Sequence, residues 1–155
     1  MNKPPAITGR ANITLPPLRV LPAGPPHTYL GMARQFLEGA KVLASSIPGN
    51  AVSLAFLVAQ ATECALKAFL SRSGDDKRLK NPQLRHDLIA LWSLAAGEGL
   101  QISIAPPAWV STLAHLHAAP YYLRYSTGVH GLALPAAEPM TSELAIVVEQ
   151  ASKQI

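Results

Sequence analysis

Twenty consecutive positions from Ala51 to Leu70 read AVSLAFLVAQATECALKAFL and are apolar on nearly every side of a helical wheel. A helix that is hydrophobic all round belongs in a protein core or in a membrane. At about 1.5 Å per residue it reaches about 30 Å, enough to cross a small domain or a bilayer. Glu63 and Lys67 decide between the two. Each charge at the centre of a bilayer costs at least ~3 kcal/mol, whereas one turn apart on a soluble helix the two face each other and support it. The stretch is therefore expected to be the central helix of a bundle. Its polar residues Gln60, Glu63 and Lys67 form one narrow stripe, which must look either out to solvent or into a polar site.

The length of 155 residues suits one domain with a core that needs no metal or disulfide support. With 49% hydrophobic and only 14% charged residues, the surface is charge-poor, and self-association would hide exposed apolar area. A net charge of +4 tolerates an anionic partner without demonstrating one. The single cysteine, Cys64, excludes an internal disulfide and a cysteine-rich zinc site, and fits a reducing cytoplasm. No apolar run follows a basic start and no uncharged segment is long enough to span a bilayer, so neither a signal peptide nor a membrane location is expected.

Seven of the fourteen prolines fall in residues 1–26, which show neither helical nor strand periodicity and read as an extended or disordered arm, residues 1–27, ahead of a helical domain, residues 28–155. Thr28 is placed to cap a first helix buried through Tyr29, Met32, Ala33, Phe36, Leu37, Ala40 and Leu43. Pro48, Gly49 and Asn50 then turn the chain into the central helix, and so short a joint implies an antiparallel pair. The central helix should stop near Gly74, in a polar loop, SRSGDDKRLKNPQLR, whose charges are more readily solvated than bound to RNA. Leu84, Leu88, Leu91, Trp92 and Ala95 mark a third helix with His86 and Asp87 in its first turn, where Asp87 favours the dipole and His86 can bond an open backbone group. QISIA is a candidate for a short extended piece. Trp109, Val110, Leu113 and Leu116 trace a fourth helix with proline in its first turn, ended by Pro120, and Glu138 and Pro139 open a fifth. His115 and His117, two residues apart, point in different directions on a helix and make a poor metal pair; no metal or other cofactor is expected. The whole reads as an all-α, largely antiparallel bundle of four to five helices.

Chemistry concentrates in YYLRYSTGVHGLALP, residues 121–135. Arg124 supplies a permanent planar charge suited to a phosphate, and His130 can exchange a proton near neutral pH. A metal-free RNA cleavage needs a base for the ribose 2′-hydroxyl, an acid for the leaving 5′-oxygen and a cation at phosphorus. His130 fits either of the first two roles and Arg124 the last, with Tyr121, Tyr122 or Tyr125 stacking on a base or bonding a phosphate oxygen.

The segment ATECALKAFL, then HDL at residues 86–88, then YYLRY followed by a histidine, resembles the HEPN superfamily of small helical bundles over roughly residues 28–155. Arg124-x5-His130 fits the R-x4-6-H motif of its ribonuclease members. The resemblance implies a cytoplasmic homodimer in which paired Arg and His motifs face each other across a cleft, joined by a polar residue of the long helix. Glu63, with Lys67 beside it, matches that contributor, orienting His130 or pairing with Arg124, and no membrane is involved. Such a protein binds RNA and cuts it as a metal-independent endoribonuclease, as a toxin or defence component beside an antitoxin. Active members commonly carry a polar residue directly after the arginine, where this chain has Tyr125. YYLRY is closer to members linked to nucleotidyltransferases, which implies the alternative of a noncatalytic nucleotide-binding or protein-interaction module.

Overall fold

The computed structural model describes residues 24–46, 50–125 and 131–155. Residues 1–23 of the proline-rich arm, residues 47–49 where a turn was expected and the segment 126–130 with His130 lie outside the described residues. Among the described residues there are five α-helices and no strand: α1 (His27–Ala44), α2 (Ala51–Leu70), α3 (Leu88–Gly97), α4 (Ala108–His117) and α5 (Ala137–Lys153). QISIA follows an irregular course instead of pairing as a strand.

The apolar stretch Ala51–Leu70 is α2, and each of the other four helices packs against it. Tyr29, in the first turn of α1, lies beside Lys67, in the last turn of α2, and Gly39 late in α1 meets Leu57 early in α2; the two helices therefore run antiparallel. Gly39 serves this contact, since a Cβ there would come within 3.1 Å of the Leu57 side chain. Leu66 and Leu70 of α2, Leu88 and Leu91 of α3, Leu113 of α4 and Leu144 of α5 are sealed in one core. Each such side chain contributes about 1.5–3 kcal/mol when removed from water. By length and composition α2 would also suit a membrane span, but 67% of that stretch is enclosed by the rest of the protein, as in the core helix of a soluble bundle.

The helix ends differ from the sequence expectation in ways that matter for the site. Helix α1 starts one residue earlier than Thr28, whose hydroxyl donates to the Gly24 carbonyl at 3.1 Å instead of capping. Helix α2 stops at Leu70, short of Gly74, because the loop folds back on it: Arg78 donates to the Leu70 carbonyl at 2.8 Å, and Arg72 and Arg78 both hold Glu98. A short 3-10 turn, Lys77–Lys80, buries Leu79 beneath those charges. Helix α3 starts at Leu88, with Asp87 as its N-cap accepting from the Ala90 amide at 2.9 Å. His86 thus precedes the helix and does not belong to its first turn, and Pro107, expected in the first turn of α4, lies just ahead of Ala108 without a side-chain cap bond.

Candidate functional site

The polar stripe of α2 turns inward. Glu63 and Lys67 are only 6% and 7% exposed, and Lys67 Nζ donates to Glu63 Oε1 at 2.6 Å. The other carboxylate oxygen, Oε2, is shared by two imidazoles: His117 Nε2 lies 2.7 Å away at the end of α4, and His86 Nδ1 lies 3.2 Å away in the turn before α3. The two rings meet edge to face with centroids 6.2 Å apart. One buried carboxylate therefore ties together three elements of the bundle.

Charge state follows from the partners. Burial on its own would push the Glu63 carboxyl up, but the His117 hydrogen bond, the charge and hydrogen bond of Lys67 and the His86 bond together outweigh it and hold the group at about 2. Glu63 is thus a carboxylate at neutral pH, so both imidazoles must present N–H toward Oε2. For His86 that fixes the tautomer and leaves Nε2 as the outward nitrogen, with no hydrogen bond to any described residue. For His117, 1% exposed, Nδ1 is left buried without a partner among the described residues. Lys67 also lies 5.9 Å from the ring centre of Tyr29, whose hydroxyl donates to Asp76 Oδ2 at 3.1 Å. Burial first, then that hydrogen bond, push Tyr29 up to about 12.

His86 also lines a surface cavity of about 480 Å³, with Gln83, Arg85 and Asp87 beside it, His115 and Tyr121 across from them, and Ile89, Ala114 and Ala118 as apolar wall. The cavity offers an imidazole, a guanidinium and a phenol in one concave place, a setting that suits a phosphate-bearing ligand. His86 joins this opening to the buried carboxylate.

Arg124 is exposed at the far side of Tyr121, its guanidinium 5.4 Å from that ring and 6.0 Å from the ring of Phe56. Phe56 lies on the α2 stripe seven residues before Glu63, about 10 Å along the axis, and Arg124 makes no ion pair with Glu63. Between them sits Gln60, whose amide nitrogen is buried with no partner among the described residues. Tyr122 is half-buried and Tyr125 is 58% exposed. His130 lies outside the described residues. Of the expected group, Glu63 and Lys67 come together, Arg124 and Tyr121 come together one step away, and the groups that meet Glu63 are His86 and His117.

Local sequence gives each of the two histidines a structural reading. The HDL triplet suggested a capping environment for His86, and the i,i+2 spacing does separate His115, exposed at the cavity, from His117, buried at Glu63. The missing signal is tertiary: these partners lie 23 and 54 positions from Glu63. Fold and site together define an all-α bundle built on a buried Glu–Lys–His network that reaches the surface at one histidine. Comparison of the chain with protein-family models, with curated proteins and with solved structures returns no match.

Proposed function

We propose that the chain is a HEPN-like RNA-binding protein that cleaves its RNA without metal, with His86 acting at the cavity between α3 and α4 and Arg124 next to it, against the Tyr121 ring that lines the cavity. The observation that carries this reading is the position of His86, held by the Glu63 carboxylate through Nδ1 while the same ring lines the opening. In the proposed reaction His86 Nε2 takes the proton of a ribose 2′-hydroxyl, the 2′-oxygen attacks phosphorus, and the bond to the 5′-oxygen breaks to leave a 2′,3′-cyclic phosphate. The leaving oxygen needs a proton, a role assigned to His130 on the strength of the R-x5-H spacing. Arg124 neutralises the phosphate and Tyr121 supplies the stacking face. The working unit is a homodimer, acting as a toxin or defence component with an antitoxin or nucleotidyltransferase partner.

The test compares the protein with His86→Ala, Arg124→Ala and His130→Ala variants on mixed RNA in chelator. Cyclic-phosphate ends from the parent, and at least ~100-fold less product from His86→Ala, are expected. No product from the parent, or equal product from all four, rejects the reading.

The apolar wall of Ile89, Ala114 and Ala118 favours a second reading, in which the cavity holds a nucleotide without cutting anything. A rise in melting temperature with nucleotides, together with intact RNA, would select it.

A further inference from the structure

We propose that Glu63, His86 and His117 form a capture site for a divalent ion of the zinc type, in competition with the metal-free role of His86. One donor atom from each residue lies within 4.8 Å of the other two, and Glu63 Oε2 is 3.2 Å from His86 Nδ1 and 2.7 Å from His117 Nε2. They come from α2, the turn before α3, and α4, so the packing of the bundle and not a flexible loop brings them together. Two imidazoles and one carboxylate are a donor set that zinc, cobalt and nickel accept and that calcium and magnesium, with their preference for oxygen, do not.

The two carboxylate oxygens are already divided in the sense such an ion needs. Oε1 belongs to Lys67, and Oε2 is the atom both imidazoles address. Metal–ligand bonds of about 2.0 Å at tetrahedral angles separate neighbouring donors by about 3.3 Å. The 3.2 Å contact from His86 already matches that spacing, and the 2.7 Å contact from His117 must open by about half an ångström. To ligate, each histidine moves its proton to the other ring nitrogen. His86 Nε2 makes no hydrogen bond to a described residue, and His117 Nδ1 has no described partner to lose. The Lys67 ammonium, one hydrogen bond from the same carboxylate, opposes a dication and weakens its hold. The ion is therefore a reversible occupant and not a permanent part of the fold.

Occupation has a direct consequence. An ion on His86 Nδ1 forces the proton onto Nε2, the nitrogen proposed to accept the 2′-hydroxyl proton. Zinc should accordingly stop RNA cleavage; this consequence rests on the nuclease reading, whereas capture of the ion does not.

The test uses the full, untagged chain, stripped with chelator and titrated with Co²⁺, read by the visible d–d absorption of a four-coordinate ion and by calorimetry with Zn²⁺. One ion per chain is expected, with affinity falling at least ~10–100-fold in His86→Ala, a half-exposed position where the fold should survive. The same affinity as the parent is expected in His115→Ala, which removes the neighbouring imidazole outside the triad. Absence of d–d bands in the parent, or bands that persist unchanged in His86→Ala, overturns the proposal. Binding of metal by a protein that cuts no RNA would support this site while rejecting the nuclease reading, so the two fail separately.

Discussion

Glu63 Oε2 accepts a 2.7 Å hydrogen bond from His117 Nε2 across 54 positions of sequence, with both side chains sealed from solvent. This bond fixes the end of α4 against the middle of α2, and the Lys67 bond on the other oxygen completes a charge-balanced centre in an otherwise apolar core. Removing one partner strands the other charge without water.

Lys67→Met should therefore destabilise the fold by about 3–5 kcal/mol, read as a lower urea midpoint. Lys153→Met, which breaks an exposed i,i+4 pair with Glu149, should leave the midpoint unchanged within error. Equal losses from both would show that the buried pair is not a centre of stability.

Acid should unfold the protein through Glu63. Its folded pKa of about 2 lies below the ordinary 4.5, so its contribution is fully present above pH 4.5 and disappears as pH falls toward 2. The size is ~3 kcal/mol, the same interaction seen from the proton side and not an addition to the pair above. Melting temperatures between pH 6 and pH 2 should fall steeply in the parent and less steeply in Glu63→Gln.

Alkali should act through Tyr29. Burial and the Asp76 hydrogen bond raise its pKa from 10 to about 12, so the folded form holds its proton where the unfolded chain releases it. Stability is lost between pH 10 and pH 12, and Tyr29→Phe should remove that part of the loss. A titration followed by tyrosinate absorbance should show a late-ionising component in the parent that Tyr29→Phe removes.

Gly31 sits exposed in α1, and a Cβ there meets nothing within 4 Å. Gly31→Ala should stabilise the fold by about 0.5–1 kcal/mol, because the helix gains propensity without a steric cost. A fall in melting temperature would mean that the N-terminal part of α1 is not helical in solution.

Among the described residues, the Arg124 guanidinium lies over the rings of Phe56 and Tyr121 at the surface. Arg124→Ala should change stability by less than ~0.5 kcal/mol and, under the proposed function, weaken RNA binding and flatten its salt dependence by roughly one phosphate contact. A large stability loss with unchanged RNA affinity would make Arg124 a packing residue.

The fold was legible where one helix settles its own fate. The start of α2 and its central place follow from the apolar run after Asn50; its end was expected near Gly74 and lies at Leu70, and Glu63 and Lys67 on one stripe left solvent and a polar site both open. What the stripe faces was not legible. His117 sits at the last residue of α4 and His86 in a turn without periodicity, so neither falls at a spacing that points toward Glu63. Asp87 illustrates the same limit on a small scale: its role at a helix start was readable, and the later start at Leu88 that makes it the cap also frees His86 to turn toward the core. Arg124 was singled out for its charge, and packing on Phe56 places it two turns of α2 from the acid it was expected to meet.

The most direct measurement is a long-range proton–nitrogen correlation spectrum of the histidine rings at neutral pH, assigned with His86→Ala and run beside Glu63→Gln. The account predicts His86 protonated at Nδ1 and His117 at Nε2, with both preferences lost in Glu63→Gln. A parent protein whose His86 carries its proton on Nε2, or whose His86 and His117 signals ignore Glu63→Gln, would contradict it.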